Sequence, residues 1–165
     1  MNIFLIGLPA SGKSTCGKEL AKRLKYTFVD LDKYIEEKNN EKIPEIFSRG
    51  EEEFRTLETK ALKEVAAFDN QVISCGGGIV VKDINKTYMN GPVIYLDCPL
   101  KELDFRIKRD TTVRPVSKII DIYKLYEMRK DKYDYFKDYT VKSLIVSNTV
   151  KEILKVIQKY ENTSR

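Results

Sequence analysis

The sequence predicts an α/β fold in which helices cover both faces of a parallel sheet. Apolar, extended segments alternate with helical patterns along the chain, and the first extended segment runs directly into a glycine-rich loop. The helical patterns carry apolar residues at three- and four-residue spacing, which places those residues on one face of each helix. Strands that alternate with helices in this way imply parallel pairing with both sheet faces covered.

The predicted elements follow one another along the chain. Strands are predicted at 2–6, 27–30, 71–75, 92–97 and 141–146. Helices are predicted at 13–24, 51–68, 100–109, 119–136 and 150–160, and the clearest apolar stripe consists of Phe54, Leu57, Ala61, Val65 and Phe68. Residues 161–165 are expected to fray.

Nothing along the chain divides it into smaller units. It contains no internal repeat, no low-complexity segment and no linker-like stretch. Its 165 residues are enough to bury a single hydrophobic core without disulfides or metal ions. Residues 1–165 are therefore predicted to form one domain.

The segment that follows the first strand, residues 7–15, has the pattern of a phosphate-binding P-loop. It reads Gly, four residues, then Gly-Lys-Ser-Thr. This spacing lets successive backbone N–H groups surround an anion, places Lys13 on the outer phosphates and leaves the Ser14 hydroxyl for Mg²⁺. A helix follows in the required order, since apolar residues recur at Cys16, Leu20 and Leu24. A nucleoside triphosphate is the expected ligand.

The cysteine and histidine content limits the kinds of catalysis that the chain can carry out. The three cysteines, Cys16, Cys75 and Cys98, form no C-x-x-C pair and lie in apolar or strand-like surroundings, which favours reduced thiols in a cytoplasm. Histidine is absent. Zinc chemistry and Ser-His or Cys-His nucleophilic catalysis each need a ligand or base that the chain lacks. Any proton transfer is therefore expected to use a carboxylate.

The charge distribution favours small anionic ligands over nucleic acid. The net charge is +5, but lysines are interspersed with acidic residues, and no basic stripe with stacking aromatics is visible. A modest positive field attracts anionic small molecules. No charged segment precedes the N-terminal apolar residues, and no apolar run approaches about 18 residues. We expect a soluble, intracellular protein without a nucleic-acid or membrane partner.

Two carboxylates, Asp30 and Asp32, close the second predicted strand. In an extended chain, residues at i and i+2 project to the same face. Beside the P-loop at the carboxyl edge of the sheet, one carboxylate is suited to hold a Mg²⁺-bound water while the other contacts a substrate hydroxyl. The alternative is that Asp32 caps a helix that begins near Lys33.

Two further loops have sequences that predict contact with other groups. The run Gly76-Gly77-Gly78 forfeits conformational entropy at every position, which predicts that another group approaches this backbone closely; a tight turn without a ligand is the alternative. The basic segment 108–115 is suited to fold over a bound nucleotide and deliver a cation to the transferring phosphoryl group. A solvated loop is the alternative there.

Two arginines are attached to apolar helical stripes. Arg55 follows Phe54, and Arg129 belongs to a series with 4, 3, 4, 3 spacing, so Arg129 is predicted to face inward. The series is Ile122, Tyr126, Arg129, Tyr133 and Phe136. A buried guanidinium needs an anionic partner, which is either a protein carboxylate or a ligand.

Together, these motifs resemble those of shikimate kinases over nearly the whole chain. The resemblance rests on the P-loop, on segments 28–32, 50–55 and 76–78, on Arg114-Pro115, and on Arg129 followed by Tyr133. It implies a nucleoside-monophosphate-kinase-like, three-layer P-loop fold, with a five-stranded parallel sheet of order 2-3-1-4-5 and a lid segment near 109–118. It also implies ATP- and Mg²⁺-dependent phosphorylation of the 3-hydroxyl of shikimate, giving shikimate 3-phosphate and ADP in aromatic amino-acid biosynthesis.

The resemblance implies roles for residues on the nucleotide side. Lys13 contacts the transferring phosphoryl group, Ser14 ligates Mg²⁺, and Asp30 acts on the metal through water. Arg114 is the lid arginine, and Arg109 lies against adenine. The residues implied to bind the ATP phosphates are Ala10, Ser11, Gly12, Lys13, Ser14 and Thr15.

The acceptor side is assigned in the same way. Arg55 and Arg129 are implied to hold the carboxylate of shikimate, and Asp32 to hold its hydroxyls. Because the chain has no histidine, Asp32 is also the expected proton acceptor. The implied shikimate-binding residues are Asp32, Arg55, Gly76, Gly77, Gly78 and Arg129, within a helical region near 32–60, and the protein is expected to be a monomer.

Two alternatives stand beside this function. A gluconate-kinase-like enzyme or a nucleotide kinase shares the P-loop but does not require Arg55 and Arg129 to converge on a carboxylate. A nucleotide-operated switch commonly carries an Asn-Lys-x-Asp motif. Here Asn85-Lys86 is followed by Thr87-Tyr88, so the aspartate of that motif is missing.

Overall fold

A five-stranded parallel sheet forms the centre of the structure. The computed structural model describes residues 1–110 and 121–164. Within them the strand order is β2-β3-β1-β4-β5, and every neighbouring pair is parallel. The predicted fold class and strand order are therefore confirmed. The strands are β1 (Ile3–Ile6), β2 (Thr27–Asp30), β3 (Gln71–Ser74), β4 (Val93–Asp97) and β5 (Tyr139–Lys142).

Helices connect the strands and cover both faces of the sheet. They are α1 (Lys13–Leu24), α2 (Leu31–Asn39), α3 (Ile43–Ser48), α4 (Glu51–Ala66), α5 (Ile84–Tyr88), α6 (Leu100–Arg109), α7 (Ile122–Phe136) and α8 (Val146–Thr163), with a 3₁₀ turn at Ile79–Val81. Within 1–110 and 121–164, no helix combines the length and the apolar character needed to span a bilayer.

The side chains of β1 alternate between the two faces of the sheet. Phe4 and Ile6 belong to the core that includes residues of α2, α4 and α7, whereas Ile3 and Leu5 belong to the core shared with α1 and α8. All four side chains are fully buried, as expected for the central strand of a parallel sheet. The result is a three-layer sandwich. Its carboxyl edge carries the P-loop after β1, Asp30 and Asp32 at the end of β2 and the start of α2, and the glycine run after β3.

The C-terminal elements differ from the prediction. The fifth strand is Tyr139–Lys142 rather than 141–146, because pairing with β4 begins at Tyr139. The apolar run Leu144-Ile145-Val146 resembles strand sequence, but it is exposed, and Val146 already begins α8. This helix continues to Thr163, so it starts earlier than the predicted residue 150, and residues 161–163 are helical rather than frayed.

Two further corrections concern the middle of the chain. Helix α4 ends at Ala66, and Phe68, predicted to lie on its apolar stripe, is 68% exposed. The chain turns there through Asn70, whose φ of 57° directs it into β3. Helices α2 and α3 replace an unassigned stretch after β2. These helices were not predicted because their many charged side chains leave only a short apolar pattern. The N-cap of α2 is Asp30 rather than Asp32.

Candidate active site

A cavity of about 1180 Å³ opens at the carboxyl edge of the sheet. Its lining includes the P-loop, Asp30, Asp32 and the glycine run. Gly12 adopts a φ of 92°, a left-handed conformation that disfavours side chains, and this turn starts α1 directly behind the loop. The N-terminal N–H groups of α1 and its positive dipole end therefore face the cavity, as in sites that bind phosphate.

Lys13 places a cation against the P-loop. Its side chain is only 8% exposed, and Nζ donates hydrogen bonds to the carbonyl oxygens of Gly7 (2.8 Å) and Leu8 (2.9 Å). The first turn of α1 contains no acidic residue. The loop therefore combines a lysine with the helix N-terminus, two features that are suited to bind phosphate.

Three oxygen-bearing side chains meet beside the loop. Ser14 Oγ donates to Asp30 Oδ2 at 3.2 Å and shares a hydrogen bond with Ser74 Oγ at 3.3 Å. Ser74 ends β3 and was not predicted. Among the described residues, no group of three or more His, Cys, Asp or Glu side chains could hold a metal by itself. Two hydroxyls and one carboxylate do fit Mg²⁺, which takes few protein ligands and completes its shell with water and substrate phosphates.

Asp32 reaches the cavity from a helix rather than a strand. Asp32 lies in the first turn of α2, so it does not project from an extended strand as predicted. The helix is capped by Asp30, whose Oδ1 accepts from the Lys33 N–H at 3.3 Å. Burial and, to a lesser extent, the Asp30 charge raise the pKa of Asp32 to about 6, whereas the Lys13 charge acts in the opposite direction. A carboxylate with such a pKa is suited to accept a proton near neutral pH.

The glycine run is approached closely by the protein's own side chains. A Cβ on Gly76 would lie 2.8 Å from Asp32 Oδ1 and 3.1 Å from Glu58 Oε2. A Cβ on Gly77 would lie 3.0 Å from Pro9, and one on Gly78 would overlap the Arg55 guanidinium. A side chain at any of these glycines would displace groups of the site, because those groups pack directly on this backbone.

Arg55 is paired with a buried carboxylate that the sequence analysis missed. Arg55 is 3% exposed and Glu58 is 1% exposed, and their Nη1 and Oε1 atoms lie 2.8 Å apart. The exposed Glu51 also accepts from Arg55 at 3.2 Å. Burial raises the pKa of Glu58 to about 7, although the Arg55 charge lowers it, and Oε2 of Glu58 has no hydrogen-bond partner. The sequence feature that could have indicated this pair is the three-residue spacing of Arg55 and Glu58, which places both on one face of α4.

Arg129 faces inward, as its spacing predicts. It is 7% exposed, and its charge lowers the pKa values of Glu58 and Tyr133. In the described part of the chain, no carboxylate forms an ion pair with it. The two arginines therefore differ: Arg55 is neutralised by the protein, whereas the buried charge of Arg129 faces a cavity that can admit an anion.

Arg106, which was not predicted, lies near Arg109 and bridges two parts of the cavity wall. Arg106 donates from Nη1 to the Ala10 carbonyl oxygen (3.0 Å) and from Nη2 to that of Leu144 (3.2 Å). It thus links the P-loop to the segment between β5 and α8. Arg109 also lines the cavity and packs over the Phe105 ring, with 5.2 Å between its Cζ and the ring centroid. Arg114 and most of the predicted lid at 109–118 lie outside the described residues.

The cavity thus has two chemically different sides. The P-loop lies on one side, and the carboxylates and arginines described above lie on the other. Transfer of a phosphoryl group to a small polar acceptor needs this juxtaposition, because catalysis consists mainly of positioning and charge stabilisation. The fold and the site together define a P-loop kinase that acts on a small molecule.

Comparisons with known proteins identify the family. A family model described as "Shikimate kinase" matches residues 9–158. A shikimate kinase from Clostridium botulinum is 40% identical over 164 residues, which cover 95% of this chain and 94% of the relative. The crystal structure of a shikimate kinase from Acinetobacter baumannii in complex with shikimate superposes with a TM-score of 0.89 at 32% identity, over 96% of this chain and 93% of that one. The chain belongs to the shikimate kinase family.

The gluconate-kinase alternative is represented among the structural neighbours. A gluconokinase from Sinorhizobium meliloti has a TM-score of 0.65 and covers 99% of this chain and 95% of its own, but it is only 17% identical. A likeness at this identity reflects the shared fold alone. The predicted membership of the shikimate kinase family is confirmed in preference to this alternative.

Proposed function

We propose that the residues of this cavity carry out the transfer of a phosphoryl group from ATP to the 3-hydroxyl of shikimate, giving shikimate 3-phosphate and ADP. Phosphorylation of shikimate with ATP, a step of aromatic amino-acid biosynthesis, is the activity of this enzyme family. The observation that carries the residue assignment is Arg129, a buried guanidinium with no ion-pair partner among the described carboxylates, which lines the same cavity as Asp32.

The nucleotide is held by the P-loop. Residues 10–15 surround the phosphates with backbone N–H groups, and Lys13 neutralises charge on the transferring group. The base lies toward Leu144, Val146 and Arg109, which line the cavity beyond Arg106. Because Arg106 donates to carbonyls on both sides, it holds this part of the cavity at a fixed width.

Mg²⁺ is the proposed cofactor. Ser14 would be its direct protein ligand, and Asp30, with Ser74 beside it, would hold metal-bound water. The ion supplies positive charge that offsets the negative charge of the phosphates. Hydrogen bonds among Ser14, Asp30 and Ser74 hold their oxygen atoms in place. The position of Asp30 is also fixed because its side chain caps α2.

The acceptor lies between α2, α4, α7 and the glycine run. Arg129 and Arg55 hold the carboxylate, and Asp32 receives a hydrogen bond from the reacting hydroxyl and then its proton. Glu58 keeps the Arg55 guanidinium in one orientation through a buried ion pair. Gly76, Gly77 and Gly78 let these side chains approach the substrate plane without a steric clash.

A coupled assay of ADP release across candidate acceptors tests this function. Shikimate should support turnover, whereas gluconate and nucleoside monophosphates should not. ADP release without any acceptor would indicate a plain nucleotidase, and turnover with gluconate alone would contradict the proposal.

Arg129→Lys should weaken the binding of shikimate while ATP affinity stays unchanged. The charge is kept, but an ammonium group cannot reproduce the paired hydrogen bonds of a guanidinium to a carboxylate. We expect a loss of about 1 to 3 kcal/mol in shikimate affinity, the usual range for a hydrogen bond to a charged group. Titration calorimetry with each ligand measures both affinities.

A conservative exchange at the neighbouring position of the same helix provides the control. Lys130→Arg alters a half-buried residue of α7 that pairs with the exposed Glu127, and it should change neither affinity. Arg55→Lys should lose shikimate affinity and stability together, because Arg55 already pairs with the buried Glu58. If Arg129→Lys lowers the melting temperature but leaves shikimate affinity intact, Arg129 has a structural role only.

The remaining assignments are proposals from sequence. We propose a single domain that works as a monomer in the cytoplasm, without nucleic-acid or membrane partners, with a substrate-binding region near 32–60. The three cysteines, which are all free and buried, are consistent with a reducing compartment. Residues 109–118 are the proposed lid, with Arg114 delivering a cation to the phosphoryl group.

Ligand-dependent hydrogen exchange tests the lid. Exchange across residues 108–118 should slow when an ATP analogue binds, and most of all when shikimate is present as well, because closure orders the segment. Equal exchange in every ligand state would contradict a closing lid.

A further inference from the structure

Tyr133 connects two parts of the acceptor side and has no role in the function described so far. It lies on α7, is 1% exposed, and stacks on Tyr95 of β4, with ring centroids 5.0 Å apart and an angle of 28° between the ring planes. A buried, stacked ring has little rotational freedom, so the position of its hydroxyl is fixed by packing.

That hydroxyl contacts the glycine run. Tyr133 Oη donates a hydrogen bond to the Gly77 carbonyl oxygen at 2.5 Å, across 56 positions of sequence. The Gly77 carbonyl is partly buried, and this bond gives it a hydrogen-bond partner. The hydrogen bond therefore ties α7 to the loop that follows β3.

The same oxygen interacts with Arg129. The two residues are four positions apart on α7 and thus neighbours on one helical face. Arg129 lowers the pKa of the Tyr133 phenol, although burial dominates and raises that pKa to about 12. Arg55 also lowers this pKa and Glu58 raises it, so the hydroxyl lies within the charged network of the acceptor side. It stays protonated at neutral pH and remains a hydrogen-bond donor.

We propose that Tyr133 is a positioning residue of the phosphoryl-transfer reaction: its hydroxyl fixes Arg129 relative to the glycine run and thereby orients the acceptor's carboxylate. This inference rests on the proposed function, because it assumes that Arg129 binds that carboxylate. One end of the acceptor is then held by Arg129, while Asp32, which packs against Gly76 in the same glycine run, receives the reacting hydroxyl. Through Gly77, Tyr133 sets the spacing between these two contacts.

The test compares two variants that each remove one hydroxyl from the stacked pair. Tyr133→Phe should raise the KM for shikimate about tenfold, as expected when one hydrogen bond in a charged network is lost, and should leave the KM for ATP unchanged. Tyr95→Phe is the matched control, since the Tyr95 hydroxyl makes no hydrogen bond to the described residues, and it should change neither KM.

A neutral acceptor separates positioning from a purely structural role. The methyl ester of shikimate lacks the negative charge that Arg129 would bind, so wild type and Tyr133→Phe should use it with similarly high KM values. If the variant is impaired equally with shikimate, the ester and ATP, the residue only supports the fold and the inference is overturned.

A second variant keeps the test decisive where Tyr133→Phe folds poorly. Tyr133 replaced by 4-aminophenylalanine retains a ring-borne N–H donor for the Gly77 oxygen and should restore most of the wild-type KM for shikimate. If it restores folding but leaves the KM high, the inference is overturned. Wild-type protein that fails to phosphorylate shikimate would overturn the proposed function, whereas active wild type with an unchanged Tyr133→Phe KM would overturn this inference alone.

Discussion

Replacing Lys13 by alanine should lower kcat by about 10²- to 10³-fold, the range found when one donor that stabilises developing charge is removed. Negative charge spreads over the oxygens of the phosphoryl group during transfer, and the ammonium ion offsets part of it. The first turn of α1 contains no acidic residue, so no nearby negative charge from that turn weakens this effect. Steady-state ADP release at saturating ATP and shikimate measures kcat.

Two controls separate the chemistry from the folding of the P-loop. Lys13 also donates to the carbonyl oxygens of Gly7 and Leu8, so thermal melting of the variant should be recorded beside its kcat. Lys22→Ala removes an exposed lysine from the same helix and should leave kcat unchanged. A folded Lys13→Ala protein with nearly wild-type kcat would show that the lysine only closes the loop.

Asp32→Asn should lower kcat by about 10²- to 10⁴-fold, the contribution usual for a general base. The amide keeps the shape of the side chain but cannot accept the proton of the acceptor hydroxyl. In wild type, kcat/KM for shikimate should fall about tenfold per pH unit below about pH 6, because burial and Asp30 raise the pKa of Asp32 to about 6. A pH series of initial rates should show that limb in wild type and a flat profile in the variant.

The stability of Asp32→Asn shows whether its loss of activity is chemical. The pKa of Asp32 is higher in the folded protein than in the unfolded chain, so the folded state binds more protons between the two values. Any stability gained from the protonated form is lost as the pH rises through about 6. The variant should therefore melt no lower than wild type at pH 8. An unchanged rate in Asp32→Asn would exclude a catalytic role for Asp32. Glu37→Gln changes an exposed residue of the same helix and should alter neither the rate nor the melting temperature.

The sequence by itself determined the features that depend on local pattern. The P-loop is a contiguous motif whose spacing fixes the backbone path, and the inward position of Arg129 follows from the helical repeat. The alternation of strands and helices predicted the parallel sheet in the same way. Where the local pattern was ambiguous, the prediction was wrong. The exposed run at 144–146 resembles a strand but is not one, and Phe68 continues the apolar stripe of α4 although the helix ends before it.

The tertiary structure decided which distant residues meet. Ser74 joins Ser14 across 60 positions, Arg106 joins Ala10 across 96, and Tyr133 joins Gly77 across 56. No local period encodes such contacts, because they follow from the order in which the strands pair. The partner of Arg55 was likewise decided by packing, since Glu58 becomes an ion-pair partner only where α4 buries both side chains together. Sequence pattern thus identified many of the site's chemical groups but not Ser74 or Glu58. The sheet decided which groups meet, because parallel strands bring their carboxyl ends to one edge however far apart they lie in the chain.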